Sequence, residues 1–156
     1  RYRYVTGVQT CALPIFNCQL KRYRIDIVMD LSPDRLVVEG SCGQLDIVLT
    51  NLLANAIDAL NNAESPCITV RTWQEESYAA ISVTDNGPGV PDDIRNRLFD
   101  LFFSTKDVGQ GYGLGLSISQ AIVAKRGGFI DLDANYKDGA RFVIKLPAVD
   151  LKRANL

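Results

Sequence analysis

The chain has 156 residues, of which 47% are hydrophobic and 22% charged, a balance that suits one globular domain and excludes a largely disordered chain. The net charge is -1, so no basic excess points to a nucleic-acid surface, and no run approaches the roughly 20 apolar residues of a membrane span. Cys11, Cys18, Cys42 and Cys67 form no CxxC pair and the chain has no histidine, which predicts unpaired thiols in a reduced cytosolic setting rather than a zinc site.

In chain order, residues 5–15 read VTGVQTCALPI, which resembles the conceptual translation of a common DNA-sequencing adapter. Residues 1–16 are therefore expected to be a non-native or disordered leader, outside the fold. The domain proper is expected over 17–149, with a C-terminal tail at 150–156. Residues 21–29 alternate through Tyr23, Ile25, Ile27 and Met29, a strand with one buried face. Ser32-Pro33-Asp34 is a turn and 36–39 a second short strand.

Ser41 is placed to cap a helix running to about Asn62. Its apolar stripe is Leu45, Val48, Leu49, Leu52, Leu53, Ala56, Ile57 and Leu60, a 3.6-residue period, and its other edge carries Gln44, Asn51, Asn55 and Asp58. Two strands follow at 67–74 and 78–84 around a Glu75-Glu76-Ser77 turn. Residues 91–98 open with proline and two aspartates, as a short helix does. A loop at 99–111 leads to a helix at 113–126, stopped by Gly127-Gly128. Strands at 129–133 and 140–146 close the chain around Lys137-Asp138-Gly139. This order predicts a two-layer α/β sandwich, a mixed and mostly antiparallel sheet with helices on one face.

Four features carry chemistry. Asn51 and Asn55 lie four apart on one helical edge and offer amide oxygens to a cation, although a merely solvated edge reads the same way. Asp85-x-Gly87-x-Gly89 ends a buried strand, where a carboxylate accepts from an exocyclic amine and the glycines admit a planar ligand. Phe99, Phe102 and Phe103 are expected to anchor a loop in the core, with Lys106 beyond as a point charge for phosphates. Gly109-x-Gly111-x-Gly113-x-Gly115 runs into a helix N-terminus, which presents free N–H groups to anions. It lacks both the Rossmann context and the Gly-Lys-Ser/Thr of a P-loop.

Taken in order, these features resemble the N, G1, F and G2 boxes of sensor histidine kinases, and the likeness spans about 22–147. Phe102-Phe103-Ser104-Thr105-Lys106 and Gly113-Leu114-Gly115-Leu116-Ser117 stand close to that family's wording, with the flavour of its nitrogen- and dicarboxylate-sensing subgroup. The resemblance implies the Bergerat ATP-binding fold of gyrase-type topoisomerases, mismatch-repair ATPases and a heat-shock chaperone. It implies ATP and Mg²⁺ as ligands. Asn55 is then the metal ligand, Asn51 and Lys106 the catalytic positions, and Asp85 the grip on adenine. Gly87, Gly89, Phe102, Gly111, Gly113, Leu114, Gly115 and Leu116 complete the nucleotide site.

The hydrolysing members carry a glutamate base where this chain has Asn51, so transfer rather than hydrolysis is implied. The partners implied are ATP, a histidine-bearing dimerisation domain of the same parent protein and, indirectly, a response-regulator receiver domain. No nucleic acid and no direct membrane contact are implied, and the setting is cytoplasmic. A serine or other protein kinase of the same fold, and a nucleotide-gated binding module without transfer, are the alternatives.

Overall fold

The computed structural model describes residues 2–4, 13–105 and 113–149. Strand β1 (Tyr2–Tyr4), helix α1 (Leu13–Arg22), β2 (Asp26–Asp30), β3 (Val37–Glu39) and α2 (Cys42–Ala59) come first. The long hairpin β4 (Cys67–Glu75) and β5 (Tyr78–Asp85), a 3-10 turn at Arg95–Arg97, α3 (Gly115–Ala124), β6 (Phe129–Leu132) and β7 (Ala140–Pro147) follow. The main sheet runs β2-β4-β5-β7-β6. Only β2–β4 is parallel, the other three pairings are antiparallel, and β1 and β3 form a separate ribbon.

The core lies between one face of this sheet and the helices. From α2 and its C-cap Leu60 it takes Val48, Leu49, Leu52, Leu53, Ala56, Ile57 and Leu60, all buried, as the 3.6-residue stripe predicts. These meet Ile68, Val70, Ile81, Val83, Ile144 and Leu146 from the sheet and Val123 from α3. The sandwich read from the sequence is therefore the observed architecture.

Among the described residues, the opposite sheet face carries long side chains laid over it. Ala80, Ser82 and Thr84 of β5 are buried there although they alternate with the core positions. Long side chains lie over that face: Arg71 stacks on Trp73, Lys145 on Phe129 and Arg141 on Tyr136. Their stems cover apolar surface while their charged ends pair with Asp30, Glu75 and Asp133.

Several local expectations are corrected. Residues 21 and 22 end α1 rather than open a strand, and their charges sit in the last turn, where a cation complements the helix dipole. The chain turns at Arg24, φ 53°, and the strand begins only at Asp26. Residues 2–4 and 13–16 of the expected leader are among the described residues. Tyr2–Tyr4 pairs antiparallel with Val37–Glu39, and Phe16 is buried one turn from buried Leu20. Ser41 is at the α2 N-cap, but its backbone carbonyl receives the first helical N–H groups and its hydroxyl makes no cap bond. The helix expected at 91–98 is mostly turns, regular only at Arg95–Arg97. The tail at 150–156 lies outside the described residues.

Ile81 is fully buried at the centre of the sheet. Replacing it with alanine is expected to destabilise the domain by about 2–5 kcal/mol, measured as a shift in the denaturant midpoint.

Candidate functional site

A cavity of about 650 Å³ opens where α2, the end of β5, the start of α3 and β7 converge. Helix α2 gives its polar edge: Asn51, Asn55 and Asp58 all line the cavity. Each turn of the helix rises about 5.4 Å, so these three side chains form a ladder along one wall. The same helix buries its other face in the core, which fixes how deep the ladder stands.

Asp85 closes the base of the cavity from the end of β5. It is 5% exposed. Among the described residues both hydrogen bonds to its carboxylate fall on one oxygen: Gly87 N donates to Oδ1 at 2.9 Å and Ala140 N at 3.4 Å. Oδ2 receives no hydrogen bond among the described residues and is the acceptor left for a ligand. Desolvation pushes the Asp85 pKa above its ordinary 3.8, against the opposing pull of the two backbone N–H groups.

Three glycines pack tightly around the end of β5. Gly87 lies beneath it, outside the cavity wall, where a Cβ would stand 2.9 Å from Asp85 Oδ1. Gly89 lines the cavity with φ 76°. Gly139 is the tightest, since a Cβ there would lie 1.9 Å from the Asp85 carbonyl oxygen. The sequence marks Gly139 only as a turn glycine, so its place against Asp85 shows first in the fold. Asn86 between them is a clamp, accepting from Cys67 N and donating to Ser65 O, both at 2.8 Å.

The far end is the first turn of α3. Gly113, Leu114, Gly115 and Leu116 line the cavity, and no side chain among the described residues caps the helix. Its leading N–H groups and the positive end of its dipole thus face the hollow, an arrangement that suits phosphates. Gly113, φ 65°, is packed so closely on the backbone of Phe102 and Phe103 that any Cβ would collide.

The phenylalanines divide differently from expectation. Phe99 packs edge-on against Phe142, their centroids 6.5 Å apart, and Phe103 lines the cavity. Phe102 is not a core anchor: with φ 63° it points outward, is 74% exposed and does not line the cavity. A run of two phenylalanines gives no periodicity to say which one turns inward. Lys106, Gly109 and Gly111 lie outside the described residues. Asn51 lines the wall, but its amide nitrogen is spent on α3, donating to Gly115 O at 3.0 Å and to Ser119 Oγ at 3.1 Å.

The ladder offers oxygen ligands only, a donor set that fits a hard cation such as Mg²⁺. Among the described residues no three His, Cys, Asp or Glu side chains converge on one point. The donor set therefore suits an ion that keeps waters and substrate oxygens about it, better than an all-protein cage. No helix among the described residues is long and apolar enough to cross a membrane.

The family described as histidine kinase-, DNA gyrase B-, and HSP90-like ATPase matches residues 41–150. The two-component sensor PprA of Pseudomonas aeruginosa is 39% identical over 141 residues, 87% of this chain and 15% of that protein. The C4-dicarboxylate transport sensor protein DctB of Rhizobium meliloti is 40% identical over 132 residues, 84% and 20% of the two chains. The chain thus spans a fifth or less of these curated relatives. The solved catalytic domain of histidine kinase ThkA is 28% identical, with a TM-score of 0.82 over 94% of each chain. ThkA in complex with response regulator protein TrrA matches at 25% identity and a TM-score of 0.80, over 96% of this chain and 42% of that one.

Because the folded Asp85 carboxyl holds its proton more tightly than the unfolded one, this group's ionisation opposes folding. Its cost grows as pH rises from 3.8 through the raised folded value and is constant above it. Asp85→Asn keeps the acceptor for both backbone N–H groups and carries no charge. The variant is expected to melt at or above the wild-type temperature at neutral pH, with the difference shrinking as pH falls, read by thermal denaturation across pH. Gly139→Ala is expected to do the opposite, lowering stability by about 2 kcal/mol or more through clash and strain, read by the same melting curves.

Proposed function

Because this chain belongs to the histidine kinase-, DNA gyrase B-, and HSP90-like ATPase family, we propose that it is the ATP-binding catalytic domain of a sensor histidine kinase, taking Mg-ATP and passing the γ-phosphoryl group to a histidine on a separate dimerisation domain. The observation that carries the reading is one cavity with the carboxylate of a buried aspartate at one end, its Oδ2 unshared among the described residues, and a helix N-terminus that no described side chain caps at the other. Adenine is a planar base with an exocyclic amine, and a triphosphate is an anion tethered to it. The cavity offers an acceptor to the first and N–H donors to the second.

In this reading Asp85 Oδ2 accepts from the adenine amine, while Gly87 and Ala140 hold Oδ1 in place. Gly89 lets the base approach the backbone closely. Gly113, Leu114, Gly115 and Leu116 bring the first turn of α3 to the phosphates. Asn55 is the residue that would hold Mg²⁺, whose chemistry when bound is to neutralise phosphate charge. Lys106 supplies a further point charge to the phosphates. Asn51, Gly111 and Phe102 complete the proposed set, Phe102 as an outward-facing neighbour of the wall rather than part of it.

An amide at Asn51 takes no proton at neutral pH, and its nitrogen is already committed to α3, so the site has no base there to activate water. That favours transfer to an external nucleophile over hydrolysis. The chain carries no histidine of its own, so the acceptor belongs to another domain. We place the domain in the cytoplasm, with a response-regulator receiver domain as the downstream partner, as in the ThkA–TrrA complex. The likeness to DctB supports the dicarboxylate-sensing flavour of the parent protein.

The test has two parts. ATP titrations in Mg²⁺ are expected to show binding that Asp85→Ala and Asn55→Ala each weaken tenfold or more, in line with loss of a charge-assisted hydrogen bond or a metal ligand. Unchanged affinity in Asp85→Ala would remove the proposed base pocket. Incubation with a supplied histidine-bearing dimerisation domain is expected to give an acid-labile phosphoryl product. An acid-stable product on serine would assign a different kinase class.

A further inference from the structure

Behind the cavity wall, a buried polar network gives a role to a residue that does not line the site. Ser119 is fully buried, at 0% exposure, in the second turn of α3. Its hydroxyl donates to Gly115 O at 2.7 Å. With its one hydrogen directed back along the helix, the oxygen is left to accept. Asn51 Nδ2 donates to that oxygen, and also to Gly115 O.

The direction of the Asn51 amide follows from this chemistry. A backbone carbonyl only accepts, so the amide atom facing Gly115 O must be nitrogen. The amide nitrogen is then turned to α3. Oδ1 has no hydrogen bond among the described residues and is the polar end left to the cavity that Asn51 lines. An oxygen in that place suits a cation and its waters. A nitrogen there would instead donate to phosphate, with or without metal.

We propose that Ser119 is a positioning residue which, by accepting from Asn51, holds the amide oxygen toward the nucleotide site and so makes that site prefer the magnesium-bound nucleotide over the free one. The proposal rests on the Mg-ATP reading above. Ser119 touches neither ligand and acts through Asn51. Without its hydroxyl, Gly115 O alone holds the amide, and the flipped amide loses less.

ATP affinity of the whole chain is measured by calorimetry in Mg²⁺ and in excess EDTA, for wild type, Ser119→Ala, Asn51→Ala and the double variant. Removing one net hydrogen bond is expected to cut the Mg²⁺-dependent gain in affinity about three- to tenfold in Ser119→Ala. The affinity in EDTA is expected to stay at the wild-type value. The double variant is expected to match Asn51→Ala alone, since among the described residues Asn51 is the one cavity-lining side chain that Ser119 bonds, its other bond being to a backbone carbonyl within α3. Equal loss in both conditions, no loss in either, or effects that multiply in the double variant would each overturn the proposal. If Ser119→Ala does not fold cooperatively, Ser119→Cys, close in size and a weaker hydrogen bonder, is read the same way. A wild-type chain that binds no ATP would bring down the Mg-ATP reading, an outcome distinct from binding with an unchanged magnesium preference.

Discussion

The site depends on a carboxylate taken out of water and only half satisfied. Asp85 ends the central strand of the sheet, where its Oδ1 receives two backbone N–H groups and its Oδ2 none. In a folded protein such a group opposes stability unless something outside the chain completes it. The surrounding sequence is arranged to keep it there. β5 is buried along both faces, so the strand end cannot drift toward solvent. Gly87 and Gly139 press against it where any side chain would collide. Asn86 ties the neighbouring backbone to the Ser65–Cys67 segment. The strained glycines and the raised pKa are thus consequences of one requirement, an acceptor drawn from bulk solvent and held at a fixed point.

The second constraint is that α2 serves two surfaces at once. Its apolar stripe supplies the densest part of the core, and its other edge supplies the ladder of the cavity wall. Any rotation of the helix that improved one surface would spoil the other. The bond from Asn51 to Gly115 and Ser119 crosses to α3 at the level where both helices meet the cavity. Further along the pair, Arg126 donates to Gln44 and holds the other ends together. The two helices are therefore pinned at two heights, and the α3 N-terminus is fixed relative to the ladder.

How much of this was legible in the sequence depended on whether a residue's role is local. The α2 stripe and its polar edge follow from helical period alone, and Asp85 was marked by a strand end running into Gly87 and Gly89. Those roles are set within one element. Gly139 and Ser119 are set by elements 54 and 68 residues away, measured as Asp85 to Gly139 and Asn51 to Ser119, and nothing local distinguishes them from a turn glycine and a helix serine. Phe102 and Phe103 are adjacent and chemically identical, so only the positive φ at Phe102 decides which faces the cavity. Reading 21–29 as one strand failed for a related reason. The alternation is real from Asp26 onward, but Phe16 and Leu20 form an i, i+4 pair that carries the helix through Arg22.

These constraints bear on how binding and folding are linked. The cavity is walled by α2, the end of β5, the start of α3 and β7, which lie far apart along the chain. A ligand that spans it joins groups whose mutual placement exists only in the folded state, and so adds to stability by mass action. Asp85 sharpens that linkage. Its desolvation cost is present in the folded chain with or without ligand, whereas a bound donor adds a hydrogen bond to Oδ2 that no described residue supplies. Neutralising Asp85 therefore moves intrinsic stability and ligand-induced stability in opposite directions, whereas a substitution that merely loosens the sheet lowers both. That difference in sign separates a carboxylate retained for binding from one retained for packing.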